Sequence, residues 1–493
     1  MTPSRLLQFA LSATALVLTG CALSPVPDQP QIQSQALPNL NPPAAWKLPP
    51  GVATPDSPKA RTAPAASGTD WLDQFADPRL RSLVREALLY NTDLRAAAAR
   101  VELAAGRARL AGSTIYPAVN FLAHGGGKSG GDGSGLNAIG FFANWELDLW
   151  GRVRYERAAG QQQYESAVLD EEYARQSIAA LVVKSWLLAI EARLQRGIAE
   201  DIVTSSDQAT GLARDRLRIG RSDEYDLSLA EANLETARDA ARQLALAQDQ
   251  ALRAIEILTG RYPSAAVDIP AELPPMPGPV PVGLPSDLLE RRPDVLAAER
   301  RVAAAFNAVG EAKAARLPKI ALTASITSVS SDLILLKDHA NPVWGLGTNI
   351  LAPLFNGYAL QAQVDIRTAE QSLAIAEYGR VGARAFNEVE TALSSSFAAD
   401  EREAILARAV ERNARTLELA QVRYRVGSGD LRAVLQQSVA LFGTRTNLLQ
   451  VQSERRIQRV NLYLAVGGAF DPITVGSVER GDAHARAEGV EVE

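Results

Sequence analysis

Three stretches of the chain place mostly apolar or small residues at alternating steps of three and four. In the first half these positions are Leu227, Ala230, Leu234, Ala237, Ala241, Leu244, Gln248, Ala251, Ile255 and Leu258. In the second half they are Leu406, Val410, Asn413, Leu417, Ala420 and Tyr424, followed by Leu435, Val439, Phe442, Thr446 and Leu449. This spacing is the heptad pattern of helices that pack along a shared seam. A sustained repeat of about 3.5 residues predicts that neighbouring helices wind around each other with a left-handed supercoil.

Other stretches alternate apolar and polar residues and predict strands. The alternation covers residues 139–149 in the first half and residues 320–326 and 344–350 in the second. Each half is therefore expected to carry a strand pair. A strict period of two suits either a half-buried soluble sheet or the wall of a membrane barrel. The turns at residues 125–135 and 328–341 are rich in glycine, serine or asparagine and are predicted to be exposed loops.

The distribution of proline predicts helices of unusual length. No proline occurs from Ala118 to Tyr262 or from Leu354 to Asp471. The helix that precedes Gly220 is expected to run for nearly seventy residues, or about 100 Å at the helical rise per residue. Glycine at its end tolerates the left-handed conformation of a C-terminal cap, and a serine or aspartate then caps the next helix. Each half is predicted to contain a long helical hairpin with a tight tip.

The two halves repeat each other. Residues 93–101 reappear as residues 294–302, and residues 216–220 match residues 423–427. A repeat of about two hundred residues is far longer than a solenoid period and predicts a pseudo-symmetric object with the same elements in each half. The predicted divisions are a signal peptide (1–20), a lipid-anchored proline-rich segment (21–68), a first repeat (69–262), a proline-rich linker (263–285), a second repeat (286–472) and a charged disordered tail (473–493).

Composition and motifs argue against nucleic-acid binding and catalysis. The formal net charge is −5, and no basic block is present. The three histidines, His124, His339 and His484, are isolated, so no metal site is predicted. Residues 127–129 (Gly-Lys-Ser) resemble a phosphate loop, but Leu122 stands where the first glycine is required. The sequence predicts no enzymatic activity and no cofactor.

The N-terminus reads as an export signal. Arg5 precedes an apolar run from Leu6 to Leu18, which is too short for a comfortable membrane span. Cys21 is the only cysteine of the chain, so no internal disulfide is possible. The sequence around it resembles the lipobox of bacterial lipoproteins, which implies lipidation of Cys21, and Ala22 is compatible with delivery to the outer membrane. The alternative is a chance cysteine within a signal peptide.

A membrane sheet of four strands needs partner chains. An open sheet edge is not tolerated in lipid, and closed barrels start at about eight strands. A cyclic trimer would supply about twelve strands. Other cyclic numbers remain compatible with the sequence alone.

Several blocks, in order from Trp71 to Pro472, carry a family resemblance. They are residues 71–75, 77–80, 87–88, Asn91, 145–152, 289–295 and 353–357. Together they resemble the TolC superfamily, and the lipobox places the chain in its OprM/NodT-like lipoprotein branch. Two regions depart from the common family pattern, namely residues 434–438 and the second tip at residues 427–430.

The resemblance implies a mainly α fold with a membrane β-barrel. In such proteins a trimeric twelve-stranded β-barrel is continuous with a long periplasmic α-helical barrel, and each chain has an internal two-fold repeat. The implied function is an outer-membrane channel of a tripartite efflux system that conducts substrates passively. The implied partners are two further copies of the chain, a periplasmic adaptor (membrane fusion) protein, an inner-membrane pump, often of the resistance-nodulation-division type, and outer-membrane lipid. The alternative is a non-channel lipoprotein that acts as a helical periplasmic scaffold.

The hairpin tips are the candidate functional site. The candidate residues for adaptor contact and gating are Arg218, Gly220, Asp223, Arg423, Arg425, Gly427 and Asp430. The hypothesis is that Asp223 and Asp430, brought near a symmetry axis, hold a closed aperture through links to arginines. The simpler interpretation is that these residues only cap helices, with arginine placed at the negative end of the helix dipole.

Overall fold

Helices form most of the chain that the computed structural model describes, namely residues 27–40, 42–43, 46, 70–124, 137–278, 280, 285, 288–330 and 343–468. In chain order the elements are α1 (Gln29–Ala36), a 3-10 turn (Asp70–Phe75), α2 (Pro78–Tyr90), α3 (Thr92–Ser113), β1 (Ala118–His124), β2 (Asn137–Leu147), α4 (Arg152–Arg218), α5 (Glu224–Leu258), α6 (Leu288–Arg291), α7 (Pro293–Ala314), β3 (Lys319–Ser330), β4 (Val343–Leu351), α8 (Ala359–Arg425) and α9 (Leu431–Ala465). The predicted signal peptide, Cys21, most of the N-terminal proline-rich segment, most of both strand-connecting turns and the tail lie outside the described residues. No helix in the described ranges has the length and apolar character needed to cross a bilayer.

The order of elements is the same in both halves. Helices α3 and α7 each have 22 residues and lie 201 positions apart. Helices α4 and α8 each have 67 residues, α5 and α9 each have 35, and both pairs lie 207 positions apart. The mainly helical fold and the two very long helices are as predicted.

The chain divides into two compact units, and each is built from separate stretches. One unit comprises Met1–Leu40, Ala99–Asp170 and Leu296–Val381, and it includes the four strands. The other comprises Asn41–Ala98, Glu171–Val295 and Gly382–Glu493, and it includes both hairpin tips. Each unit therefore draws on both halves of the sequence.

The first unit is organised around one antiparallel sheet with strand order β1-β2-β3-β4. Phe121 pairs with Phe141, Phe141 pairs with Ile326, and Ile326 pairs with Trp344. Strand β1 was not located from the sequence, because its seven residues are too few to show a clear alternation. Four strands in this order leave one long edge of β1 and one of β4 without a partner strand in the described chain.

Small residues allow the helices of the first unit to approach closely. A Cβ on Gly310 would lie 2.6 Å from the Tyr155 ring, and a Cβ on Gly160 would lie 3.1 Å from Ala111. Helix α4 therefore contacts both α3 and α7 through positions where a larger side chain does not fit. The alanine-rich composition therefore results in close packing of these helices.

The second unit has an aromatic core at the start of α2. Asp77 caps α2 by accepting a hydrogen bond from the backbone N–H of Arg79 at 3.0 Å, and it also accepts one from the indole N–H of Trp186 at 3.0 Å. Trp71 stacks on Tyr463 with ring centroids 5.4 Å apart. One aspartate thus begins a helix and ties it to the middle of α4.

The proline-rich linker is held in place along its described part. Arg193 donates a hydrogen bond to the carbonyl oxygen of Ile269 at 2.5 Å, and Arg456 donates one to that of Pro274 at 2.7 Å. The buried carboxylate of Glu256 accepts hydrogen bonds from the N–H groups of Ala265 and Ala266 at 2.7 and 2.8 Å. Two arginines and one glutamate fix a segment that has neither helix nor strand.

The predicted seams are observed except at one position of the second hairpin. All ten seam residues of α5 are buried or half-buried. In α9 the prediction of Val439 as a seam residue is wrong, because its side chain is 60% exposed. Ser438 and Leu441 are buried instead, so the buried stripe of α9 follows a different set of positions on the helix.

Candidate functional site

Both long helices end in the same glycine cap. Gly220 has φ 69° and Gly427 has φ 83°, in the left-handed region where a Cβ is unfavourable. Their N–H groups donate to the carbonyl oxygens of Leu217 and Tyr424, and the next residues donate to those of Arg216 and Arg423. This paired bonding is the Schellman motif, which satisfies carbonyl groups at the end of a helix. The predicted C-caps are confirmed.

The two predicted aspartates begin the second helix of each hairpin. Asp223 accepts a hydrogen bond from the N–H of Asp226 at 3.0 Å, and Asp430 accepts one from the N–H of Arg432 at 2.9 Å. In the described residues neither carboxylate forms an ion pair with an arginine side chain of the same chain. Their capping role is thus visible in one chain, and their role in a gate between chains stays a prediction.

The predicted arginines lie in the last turns of α4 and α8. Arg218 forms an ion pair with Asp215 at 3.0 Å, but both side chains are mostly exposed. Arg423 and Arg425 occupy the matching turn of α8. Positive charge at this end complements the negative pole of the helix dipole. An exposed pair of this kind contributes about 0 to 1 kcal/mol.

A buried cluster brings the two tips side by side in the second unit. Its buried members are Ala213 and Ala230 from the first hairpin and Tyr424, Leu431, Val434 and Leu435 from the second. The candidate residues of both tips are therefore brought to the same end of this unit. The departure from the family pattern at residues 434–438 falls inside the cluster and supplies two of its buried side chains.

Two arginine–tyrosine contacts join the hairpins, and neither was predicted from the sequence. The guanidinium of Arg216 lies 4.2 Å from the ring centroid of Tyr424, which is 4% exposed. The guanidinium of Arg432 lies 5.6 Å from the ring centroid of Tyr225, which is 57% exposed. Tyr225 and Arg432 are equivalent positions of the repeat, separated by 207 residues. The repeat offset is the one signal that would have suggested this second pair.

The sheet of the first unit has two chemically different faces. One face carries Val119, Phe121, Ile139, Phe141, Trp145, Ile320, Leu322, Ile326, Trp344, Leu346 and Ile350. The other carries Asn120, Asn144, Glu146, Thr323, Ser325, Thr327, Gly345, Gly347 and Asn349, together with the apolar Leu122 and Phe142. Thr348 is a polar exception on the first face. On the apolar face Leu346 is 90% exposed and Trp344 is 75% exposed. This is the alternation of a sheet with lipid on one side and water on the other.

A charged network lies where strand β2 passes into helix α4. Arg152 bonds both carboxylate oxygens of Glu146 at 2.9 Å and lies 3.3 Å from Glu156 and 3.6 Å from Glu311. The hydrogen bond to Glu146 is the main cause that raises the pKa of Arg152, against the opposing effect of its burial. The network fixes the direction in which the chain leaves the sheet.

A buried arginine organises the block that precedes α7. Arg292 has no exposed surface and donates to Asp294 at 2.8 Å, to Glu388 at 2.6 Å and to the carbonyl oxygen of Ala465 at 3.1 Å. Burial opposes the charge of Arg292, but these carboxylates outweigh it and raise its pKa. The residues that carried the family resemblance here form a structural network in the second unit.

No metal centre accompanies these features in the described part of the chain. No group of three or more His, Cys, Asp or Glu side chains is arranged there to hold a metal ion. His124 lies in β1, while His339, His484 and residues 127–129 are outside the described residues. The candidate site is thus composed of surfaces and helix ends.

Comparison with known families identifies the family to which this chain belongs. The model of the outer membrane efflux protein family matches residues 83–261 and again residues 284–468. The chain belongs to the outer membrane efflux protein family. The two matches begin 201 and end 207 positions apart, the same offsets that separate the helices. The predicted TolC-like kinship is confirmed.

Individual members of the outer membrane efflux protein family match over nearly the whole chain. The cation efflux system protein CusC of Escherichia coli O6:H1 is 31% identical over 485 residues, which cover 95% of this chain and all of the relative. The toluene efflux pump outer membrane protein TtgC of Pseudomonas putida is 30% identical over 479 residues, which cover 94% of this chain and 95% of the relative. A crystal structure of CusC has a TM-score of 0.74 at 28% identity and covers 81% of this chain and 94% of that one. The protein is an outer-membrane efflux protein.

Proposed function

We propose that three copies of this chain form an outer-membrane channel that conducts substrates passively from an inner-membrane pump to the exterior. Their sheets would close into a twelve-stranded barrel, and their long helices would form a periplasmic α-helical barrel. The sheet carries this proposal, because it combines an exposed apolar face, a polar face and two unpaired edges.

The unpaired edges require a partner in lipid. A backbone N–H or C=O group without a hydrogen bond costs several kcal/mol in the hydrocarbon region. Pairing β4 of one copy with β1 of the next satisfies both edges, and repetition of this step closes a ring. Three copies give about twelve strands, which leaves an aqueous lumen lined by the polar face.

The hairpin tips are the proposed contact for a periplasmic adaptor and the proposed gate. Ile219 is 63% exposed and Val426 is 73% exposed, so each tip presents an apolar side chain beside its cap. A photo-crosslinking residue at either position should capture the adaptor encoded with the cognate pump. The control is the same residue at Leu246, which is 54% exposed but lies within α5. Equal capture from Leu246 would contradict contact through the tips.

The charge of Asp430 can be separated from its capping role. Alanine removes both, whereas asparagine keeps a favourable N-cap and removes only the charge. If the carboxylate holds a gate, Asp430→Ala and Asp430→Asn should both raise single-channel conductance. An increase with alanine alone would mean that Asp430 acts only as a cap.

The membrane anchor is proposed to be an acyl group on Cys21. A single acyl chain binds a membrane reversibly, so anchor and barrel would act together. Mass spectrometry of the purified protein should show a lipidated N-terminal cysteine. An unmodified Cys21 in a processed chain would contradict the anchor and leave the barrel proposal standing.

We infer that cargo is set by the pump and adaptor. The name of CusC refers to cations and that of TtgC to toluene, yet both are about equally similar to this chain. Passive conduction also means that no enzymatic step is proposed. The gated lumen would provide a path to the exterior, and the pump and adaptor would select the substrate.

The non-channel scaffold is the alternative, and one preparation distinguishes the two. Purified protein in detergent should have the mass of three chains by light scattering and should conduct ions in a planar bilayer. A single-chain mass with no conductance would overturn the channel.

A further inference from the structure

Three ion pairs of the described chain cross the contact between helices α4 and α7 in the first unit. They are Arg152 with Glu311, Arg300 with Glu165, and Arg301 with Asp170. The side chains of the last pair are 42% and 48% exposed, so this pair lies at the surface of the contact. Charge therefore marks how far α7 is shifted along α4.

The repeat gives each of these residues an equivalent on α8 or α3. Helix α8 is equivalent to α4 at an offset of 207 positions, and α3 is equivalent to α7 at an offset of 201. The equivalent pairs are Ala359 with Leu110, Ser372 with Ala99, and Glu377 with Arg100. Two pairs have lost both charges, and the third has kept both with the same signs on the same helices. No pair keeps one charge without the other, which is the pattern expected if α8 and α3 also meet.

The faces of α8 and α3 at these positions are uncovered in the single chain. Leu103 of α3 is 54% exposed, whereas its equivalent Ala304 of α7 is 2% exposed. Leu373 of α8 is 62% exposed, whereas its equivalent Ser166 of α4 is 2% exposed. Arg100 is exposed, and no ion pair within the described residues holds it. Apolar side chains and a free cation are thus left where α4 and α7 cover each other.

The strands place α8 of one copy beside α3 of the next. Helix α8 follows β4, and α3 precedes β1. Within the chain the end of β2 lies beside the start of β3, with Leu147 paired to Ile320. Antiparallel pairing of β4 with β1 of the next copy would bring the end of β4 beside the start of β1 in the same way. The occupant that fits the uncovered faces is therefore a second copy of this chain.

We propose that α8 meets α3 of the next copy in the register of α4 and α7, with Glu377 paired to Arg100 of the next copy. The inference rests on the proposed function, because it needs copies joined through β4 and β1. It goes beyond ring closure by fixing how far each copy is shifted along its neighbour. Glu377 is 51% exposed and already pairs with Arg380 on the same helix at 2.6 Å, so Arg100 would be a second cation on this carboxylate.

Engineered cysteine pairs test this register. Arg100→Cys with Glu377→Cys, treated with a short bis-maleimide reagent in isolated membranes, should give covalent products of two and three chains on a denaturing gel. The matched control is Arg301→Cys with Asp170→Cys. That contact lies within one chain, so its cross-link should leave the mass of a single chain and appear as linked peptides in mass spectrometry. The parent protein, which keeps only Cys21, gives the background.

A shifted pair controls for position along α3. Arg107 lies seven residues after Arg100 on the same face of α3, about 10 Å further along the helix. Arg107→Cys with Glu377→Cys should therefore give at least tenfold less product of two and three chains than the Arg100 pair. Equal yields from the two pairs would overturn the proposal. Cross-linking of the Arg100 pair within single chains alone would overturn it too.

Exchange of the two charges tests the ion pair itself. Arg100→Glu should shorten the half-life of the oligomer in warm detergent by about fivefold to tenfold, because each exposed pair contributes little but three copies act together. Adding Glu377→Arg should restore most of that half-life. Arg95→Glu is the control, since Arg95 is exposed but points about 140° away around α3, and it should change nothing. A double variant no longer-lived than Arg100→Glu would overturn the ion pair.

The mass of the parent protein in detergent separates this inference from the proposed function. A mass of three chains by light scattering, with no cross-link between copies from the Arg100 pair, contradicts the register alone. A single-chain mass contradicts the proposed function, and the inference falls with it.

Discussion

Replacing Tyr424 by leucine should loosen the contact between the two hairpin tips. Leu217 occupies the equivalent position of the first tip, so leucine is compatible with this kind of cap. The change removes the ring that the guanidinium of Arg216 faces at 4.2 Å. If the channel opens by separating the hairpins, this contact is present in the closed state and absent in the open one.

The expected magnitude follows from burial and from copy number. A desolvated cation–π contact contributes about 2 kcal/mol, and Tyr424 is 4% exposed. Three copies that open together would lose about 6 kcal/mol, which is about four powers of ten in the closed-to-open ratio. The Arg432–Tyr225 contact is longer and exposed, so Tyr225→Leu should shift the ratio far less, by about 0.5 to 1 kcal/mol per copy.

Single-channel recording in planar bilayers measures this ratio, and phenylalanine is the matched control. The Tyr424 hydroxyl is buried without a hydrogen-bond partner in the described chain. Tyr424→Phe keeps the ring and removes that hydroxyl, so it should stay as closed as the parent protein. If the leucine and phenylalanine variants open equally often, the contact of Arg216 with the ring does not hold the tips together.

Three further predictions concern stability and membrane insertion. Glu256→Gln should cost about 1.5 to 3 kcal/mol at neutral pH. Burial opposes the charge of Glu256 but backbone N–H donors outweigh it and lower its pKa, so the stabilisation is complete above the ordinary pKa of 4.5. The gap in melting temperature to the parent protein should therefore narrow as the pH falls through the lowered pKa, and a gap independent of pH would contradict this reasoning. Arg292→Met should cost about 3 to 5 kcal/mol, because the buried Asp294 loses the arginine that bonds both of its oxygens and keeps only Arg384 at 3.1 Å. Thermal unfolding in detergent would measure this loss, and a change under about 1 kcal/mol would refute it. Leu346→Arg should destabilise the membrane-inserted protein by about 2 to 4 kcal/mol per chain and so lower its yield. Asn349→Arg on the polar face should be tolerated, and equal yields of the two variants would contradict the assignment of the two faces.

The helices and their ends were readable from the sequence because local rules determine them. Freedom from proline allowed helices of 67 residues, and glycine followed by aspartate marked both tips. The strand alternation located β2, β3 and β4 and separated an apolar from a polar face. In each case the signal lies in one continuous stretch of the sequence.

Contacts between distant residues were not readable in the same way. The Arg216–Tyr424 contact joins residues 208 positions apart. The close approach of the Ala36 carbonyl oxygen to Gly379 joins residues 343 positions apart. Val439 fits the heptad spacing as well as its neighbours do, yet the packing of the second hairpin leaves it exposed. The buried role of Arg292 was equally hidden, since an arginine in a charged run reads as a surface residue until its partners are placed.

The equal lengths of the paired helices tell something about how this molecule has changed since its ancestor was copied. The 38 residues that connect α3 to α4 correspond to 44 residues between α7 and α8, so the six extra residues all fall in the region of strands and loops. Inside a long helix a single inserted residue would turn everything beyond it by about 100° and point the buried stripe toward solvent. The long helices have therefore kept the same number of residues in the two halves, whereas the region of strands and loops has changed in length.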